Sequence, residues 1–323
     1  MKRLLSVMLV VTMFTIALSV CVGGASAANY PTKPITLVIP FSPGGSGDIE
    51  PRVFARSLER VLGQPIIPTN MVGGSGALGL QHTMQAEPDG YTICFMSATI
   101  AFGMAHSNIT YRPEEINVIG SFNADTMGIF VLKDSPFNTI EDLISYAKQN
   151  PERLLIGGTQ AASAHHSLFL TLCNEADIEM QYVPFGGSGD TALAFLGGNL
   201  DGGIFSPAFM REYMESEGVR LLLYAAQEHD DDFEGVPIGK DLGFYMMDDL
   251  LQFRSYITTP GVPEEVMQII DDAFEKAFND PEYQKYLADL HITPFYQNRE
   301  NFSNFLIGFV ENVETILALI DEN

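Results

Sequence analysis

The chain has 323 residues, 46% of them hydrophobic, with 17 basic against 41 acidic residues and a formal net charge of −24. That balance excludes nucleic acid and anionic membranes as partners, because a strongly negative field repels polyanions. Any anionic ligand must be held by local dipoles rather than by the field of the whole molecule.

Met1, Lys2 and Arg3 precede an apolar run over residues 4–22 and then Ala25-Ser26-Ala27, a small-residue cleavage pattern. This reads as a secretory signal peptide, residues 1–27, cleaved after Ala27 to give a periplasmic protein. A lipoprotein anchored through Cys21 is the weaker expectation, since Val20 stands where a lipobox needs a small residue. Cleavage leaves 296 residues with 15 basic and 41 acidic side chains, a charge of −26. No later apolar run approaches the roughly 20 residues of a membrane span. Cys94 and Cys173 lie in apolar contexts and are expected to be buried free thiols, and no spacing supports a metal site or a cofactor.

The first strand is predicted at "ITLVIPF" (35–41), a continuous apolar run of the kind buried on both faces. A helix follows with Asp48 as its N-cap and a stripe from Val53 to Leu62. "QPIIPTN" (64–70) is a second strand, leading to "GGSGALG" and another helical segment. A third strand spans 91–97. Strands alternating with helices predict a parallel sheet. The pattern then restarts: a strand at 128–134, a helix at 139–149, a strand at 153–159, a helix at 164–176 and a strand at 181–185. A short helix at 191–196 and strands at 202–206 and 219–226 complete this second unit. "EHDDDFE" (228–234) reads as a solvated loop. "FRSYITTP" (253–260) reads as a return strand, with three helices after it. The expected division is lobe I at 28–125 and 256–323 and lobe II at 126–255, with hinges near 123–128 and 253–258.

Three glycine-rich turns stand between strand and helix: Gly44-Gly45-Ser46-Gly47, Gly73-Gly74-Ser75-Gly76 and Gly186-Gly187-Ser188-Gly189. Glycine permits close backbone approach, and a helix N-terminus offers unpaired N–H groups, so such turns suit an anion. None matches a dinucleotide fingerprint with its distal acid, a phosphate-binding loop ending in Lys-Ser/Thr, or a serine-hydrolase elbow. His165 and His166 open a helix that Ser163 caps, with no acid partner placed by sequence. Asp48 and Asp190 are read as helix caps that also stand open to a ligand contact. Arg254 is the one cation expected near the cleft, and Phe41, Phe185 and Phe205 either line it or pack in the core.

"YPTKPITLVIPFSPGGSGD", "NMVGGSGALG", "EPDGYT", "YVPFGGSGDTALAFLGGNLD" and "TPGVPEEV", in that order, resemble the motifs of the periplasmic receptors of tripartite tricarboxylate transporters, the Bug family. The resemblance covers essentially the whole mature chain. It implies a type II periplasmic binding protein: two α/β lobes, a ligand cleft between them and two crossover strands. It further implies a monomeric, non-enzymatic receptor that closes on a small carboxylate and delivers it to membrane permease subunits. By position, the implied ligand-binding residues are Ser42, Gly45, Ser46 and Asp48 from the first loop, Gly74 and Ser75 from the second, and Ser97 and Thr99 after the third strand. The other lobe contributes Thr159, Ser163, His165, Gly187, Ser188 and Ser206. Ser75 departs from a family glycine. The alternatives are an exported hydrolase using the same cleft, for instance one with His165, or a periplasmic sensor or adaptor domain.

Overall fold

The computed structural model describes residues 30–216, 218–246 and 250–321. The predicted signal peptide, with its cleavage site and Cys21, lies outside the described residues.

The chain builds two sheets. The first begins with β1 (Ile35–Ile39), β2 (Ile66–Asn70), β3 (Thr92–Ser97) and β4 (Asn117–Asp125). The second contains β5 (Met127–Leu132), β6 (Leu155–Gly158), β7 (Gln181–Pro184), β8 (Gly202–Phe205) and β9 (Val219–Ala225). The chain then returns to the first sheet through β10 (Gln252–Thr258) and β11 (Thr293–Gln297). The strand orders are β11-β4-β10-β3-β1-β2 and β7-β6-β8-β5-β9.

As expected of strand-helix-strand units, β1 pairs in parallel with β2 and β3, and β6 with β7 and β8. The crossover strands make both sheets mixed. β10 runs antiparallel to β3 and β4, and β5 antiparallel to β8 and β9. Each enters its sheet from the opposite lobe, so it travels against the strands made locally. β10 joins the first sheet from Gln252, so residue 255, where lobe II was expected to end, falls inside it. The stretch 253–258, expected as a hinge, is held by strands on both sides.

Helices α1 (Ser46–Leu62), α2 (Ala77–Met84) and α3 (Ala98–Ala105) follow the first three strands. In the second lobe lie α4 (Ile140–Gln149), α5 (Ala164–Ala176), α6 (Ser188–Leu196) and α7 (Pro207–Glu215). The chain closes with α8 (Glu264–Phe278), α9 (Pro281–Leu290) and α10 (Arg299–Asp321).

Strand alternation sends β1 side chains to two different cores. Ile35, Leu37 and Ile39 join Phe54 and Leu58 of α1 and Ile270 and Phe274 of α8, where the Phe54 and Phe122 rings stack at 4.4 Å. Val38 joins Met96, Phe102 and the α10 residues Phe302, Leu306 and Phe309 on the other face. In the second lobe, Phe130, Phe195, Phe205 and Met210 form a separate cluster with Phe185 packed against it. Phe205 is thus a core residue of that lobe, and Phe185 lies partly buried against the same cluster. Cys94 and Cys173 are free, and burial pushes the Cys94 thiol up to about 12.

The lobes are in contact across the cleft. Ser75 Oγ donates to the Ala161 carbonyl at 2.6 Å, and His106 Nε2 bonds Ser167 Oγ at 3.1 Å. Asp232, within the acidic stretch read as a solvated loop, pairs with Arg211 at 3.2 Å and with His291 of the first lobe. That stretch is exposed, but it ties one lobe to the other.

Candidate functional site

The two repeated phrases face each other. Ser42 N–H donates to the Gly186 carbonyl at 3.4 Å, and the Ser46 and Ser188 hydroxyls stand 3.5 Å apart. Gly45 and Gly189 are in backbone contact: a Cβ built on Gly45 would lie 2.7 Å from the Gly189 nitrogen. A cavity of about 30 Å³ remains between the lobes.

Four helix N-termini converge on this cavity. α1 presents Gly45, its N-cap, with Ser46 and Gly47; α3 presents Ser97 and Thr99; α5 presents His165; and α6 presents Gly187 and Ser188. Each end carries unpaired N–H groups and a partial positive charge, so their sum favours an anion. Ser42, Thr159, Phe41, Gln252 and Arg254 complete the wall. The Ser97 hydroxyl is buried and has no hydrogen-bond partner among the described residues.

The structure therefore gathers Ser42, Gly45, Ser46, Ser97, Thr99, Thr159, His165, Gly187 and Ser188 around one cavity. It does not bring Asp48, Gly74, Ser75, Ser163 or Ser206 to its wall, because each is engaged elsewhere. Asp48 is not the N-cap expected: the cap is Gly45, three residues earlier, which takes the extended cap conformation, and α1 starts at Ser46. From the first turn the Asp48 carboxylate accepts from Gly44 N–H, Arg52 and Asn70. Burial alone would raise its pKa, but the bonds from Asn70, Gly44 and Arg52 outweigh this and lower it. Asp190 likewise sits in the first turn of α6, whose cap is Gly187.

Gly74 and Ser75 form a tight turn with positive φ, and the Ser75 hydroxyl is spent on the opposite lobe. Ser163 caps α5, accepting from His166 N–H and from the Thr159 hydroxyl. Ser206 caps α7, accepting from Phe209 N–H.

Arg254 lies at the cavity as expected, but its guanidinium is committed. It pairs with buried Glu50 at 3.0 Å and donates to the Gln252 carbonyl and side chain. Asp125, at the end of β4, shares this buried cluster. Burial, then repulsion from Glu50, raises its pKa to about 7. His165 is driven down to about 3 by burial and by the Arg254 charge, so it is neutral. Its Nδ1 accepts from Thr159 N–H at 3.3 Å, which places the ring proton on Nε2. His165 is thus a hydrogen-bond donor. Gln252 was missed in the sequence, as it opens the return strand one residue before the stretch that was recognised; Gly47 was seen in its glycine-rich turn but not singled out as a ligand residue. Among the described residues, no three His, Cys, Asp or Glu side chains are grouped to hold a metal.

Two α/β lobes joined by two chain crossings, with facing strand-end loops around an anion-friendly cavity, define a solute-binding protein of the periplasmic type. Residues 51–322 match the tripartite tricarboxylate transporter family receptor, and the chain belongs to that family. A relative from Cupriavidus necator, the UPF0065 protein in the gbd 5' region, is 30% identical over 296 residues, covering 91% of this chain and 89% of that one. The periplasmic binding protein BugD superposes with a TM-score of 0.84 at 22% identity, covering 90% of this chain and 99% of that one. MatC from Rhodopseudomonas palustris, solved with bound malate, superposes with a TM-score of 0.83 at 21% identity, covering 89% and 99%.

Proposed function

We propose that this chain is an exported, monomeric receptor that closes on a small carboxylate and delivers it to the membrane permease of a tripartite tricarboxylate-type transporter. The observation that carries the proposal is the convergence of four helix N-termini from both lobes on one cavity. Like-signed dipole ends repel as the lobes close, and an anion between them turns that repulsion into attraction. The malate bound by MatC, which shares the fold, is a ligand of the same chemical kind. The proposed ligand contacts are the N–H groups at Ser46, Gly47 and Ser188, the hydroxyls of Ser42, Ser97, Thr99 and Thr159, and the Nε2–H of His165. Asp48, Ser163 and Ser206 act one layer back, holding the loops in place.

His165 weighs against a hydrolase: its Nε2 carries a proton and has no lone pair with which to activate a serine. Incubation with a panel of carboxylates tests the reading. The expected outcome is stoichiometric binding, a raised melting temperature and chemically unchanged ligand. Turnover abolished by His165→Ala would sink it.

A further inference from the structure

The receptor reading leaves the size of the ligand open, and the glycines that let the lobes meet bear on it. Gly45 is extended (φ −94°, ψ 174°), a conformation any residue adopts, so its own backbone does not require glycine. What requires it is the opposite lobe: the nearest atoms to a Cβ at Gly45 are Gly189 N at 2.7 Å and the Ser188 N and Cβ at 3.1 and 3.3 Å. Reciprocally, a Cβ on Gly189 would meet Gly44 C and Gly45 N, each at 3.1 Å, and Pro43 O at 3.2 Å. A Cβ on Gly186 would run into Ser42 Oγ, and one on Gly187 would lie 3.3 Å from Ser42 N. At Gly45 and Gly189 the loops thus interlock where neither carries a side chain, and there the lobes meet backbone against backbone.

The depth of that stop sets the space left inside. The enclosed space measures about 30 Å³, not far above the roughly 10–15 Å³ below which not even one water enters, so the shut lobes leave little room. Its wall is backbone and short hydroxyl side chains together with His165, Gln252 and Arg254, and Phe41 is the one large apolar residue on it. Phe41 is itself held in place, buried with its ring edge-on to Phe95 at 5.8 Å. Arg254 and Gln252 are tied to each other and to Glu50 and do not swing aside to lengthen the space.

We infer that the Gly45–Gly189 backbone contact is a closure stop that selects short-chain carboxylates over longer or aromatic ones. The inference rests on the carboxylate-receptor reading. A longer acid wedges the loops apart and forfeits their interlock, whereas a short one is enclosed with the lobes fully shut. A methyl group at either glycine holds the lobes open by the thickness of a side chain and enlarges the space.

The test is a set of Kd values by titration calorimetry for oxalate, malonate, succinate, glutarate and adipate, with lactate and benzoate beside them. The wild-type protein, Gly45→Ala and Gly189→Ala are compared. The expected wild-type optimum lies at succinate or shorter, with adipate and benzoate weaker by about tenfold or more. Both variants are expected to keep the wild-type melting temperature without ligand, to lose short-acid affinity and to shift the optimum toward longer acids. Tightest wild-type binding of adipate or benzoate overturns the inference and leaves the receptor reading intact. Variants that weaken every acid in the same ratio also overturn it, since the glycines are then structural only. Binding of none of these acids overturns the receptor reading on which the inference rests.

Discussion

Ser75 shows how a single residue can be constrained from two sides. It holds a left-handed backbone (φ 55°), which costs a non-glycine residue about 1–2 kcal/mol. Its neighbours Gly74 and Gly76 take positive φ freely. The side chain that bears this cost spans the cleft to the Ala161 carbonyl. Ser75→Gly relieves the backbone and removes the bond. The ligand-free melting temperature is expected to hold or rise slightly, while ligand affinity falls about fivefold, the worth of roughly 1 kcal/mol of net hydrogen bonding in the closed form. Calorimetry and thermal melts on the same samples check both halves; unchanged affinity would show that the bond does not contribute to closure. In the sequence, Ser75 was visible as a departure from a glycine pattern and was read as a ligand contact. Its partner lies 86 positions away, and no local signal names it.

Among the elements, α5 brings an acid-sensitive feature. His165 and His166 occupy its first turn, where the helix dipole disfavours positive charge. Burial and the Arg254 charge lower His165 to about 3; burial and His106 lower His166 to about 4. Both lie below the unperturbed value of 6.5, so below pH 6.5 the unfolded chain takes up protons that the folded chain refuses. Above pH 6.5 these groups leave stability unchanged; below it stability falls, for His165 by up to about 1.4 kcal/mol per pH unit. Asp125 acts in the opposite sense: raised from 3.8 to about 7, it favours the folded state at low pH and loses that contribution as pH rises through this window. Thermal melts of a His165→Gln, His166→Gln double variant should therefore fall less steeply between pH 6.5 and about 4.5 than wild-type melts. Parallel profiles would show that the histidines are not held neutral. The α5 boundaries and its Ser163 cap were legible in the sequence, since caps and apolar stripes are local. The tautomer of His165 was not, because Thr159 N–H and Arg254 set it from other elements.

For the whole molecule, charge and site pull in opposite directions. The formal charge of −24 repels an incoming anion, while helix ends act on it only within the cleft. Carboxylate association is therefore expected to quicken several-fold as salt rises from low to physiological strength, the reverse of a basic binding protein. The chain has no Trp, so stopped-flow tyrosine emission would report the rate; a rate that falls with salt would count against global repulsion. The positions of the first three strands, the helices after them and the second α/β unit could be read from periodicity and turn chemistry, because those signals act over a few residues. So could the placement of two glycine phrases at strand ends. The mixed sheets, the entry of β10 between β3 and β4, and the backbone contact of Gly45 with Gly189 could not. Those depend on where the chain returns after building a second lobe, and residues more than a hundred positions apart leave no mark on each other's local pattern. The same physics separates cavity-lining Ser46 and Ser188 from Asp48 and Asp190: all four are polar residues of a glycine-rich turn, and only the packed helix ends decide which of them line the cavity.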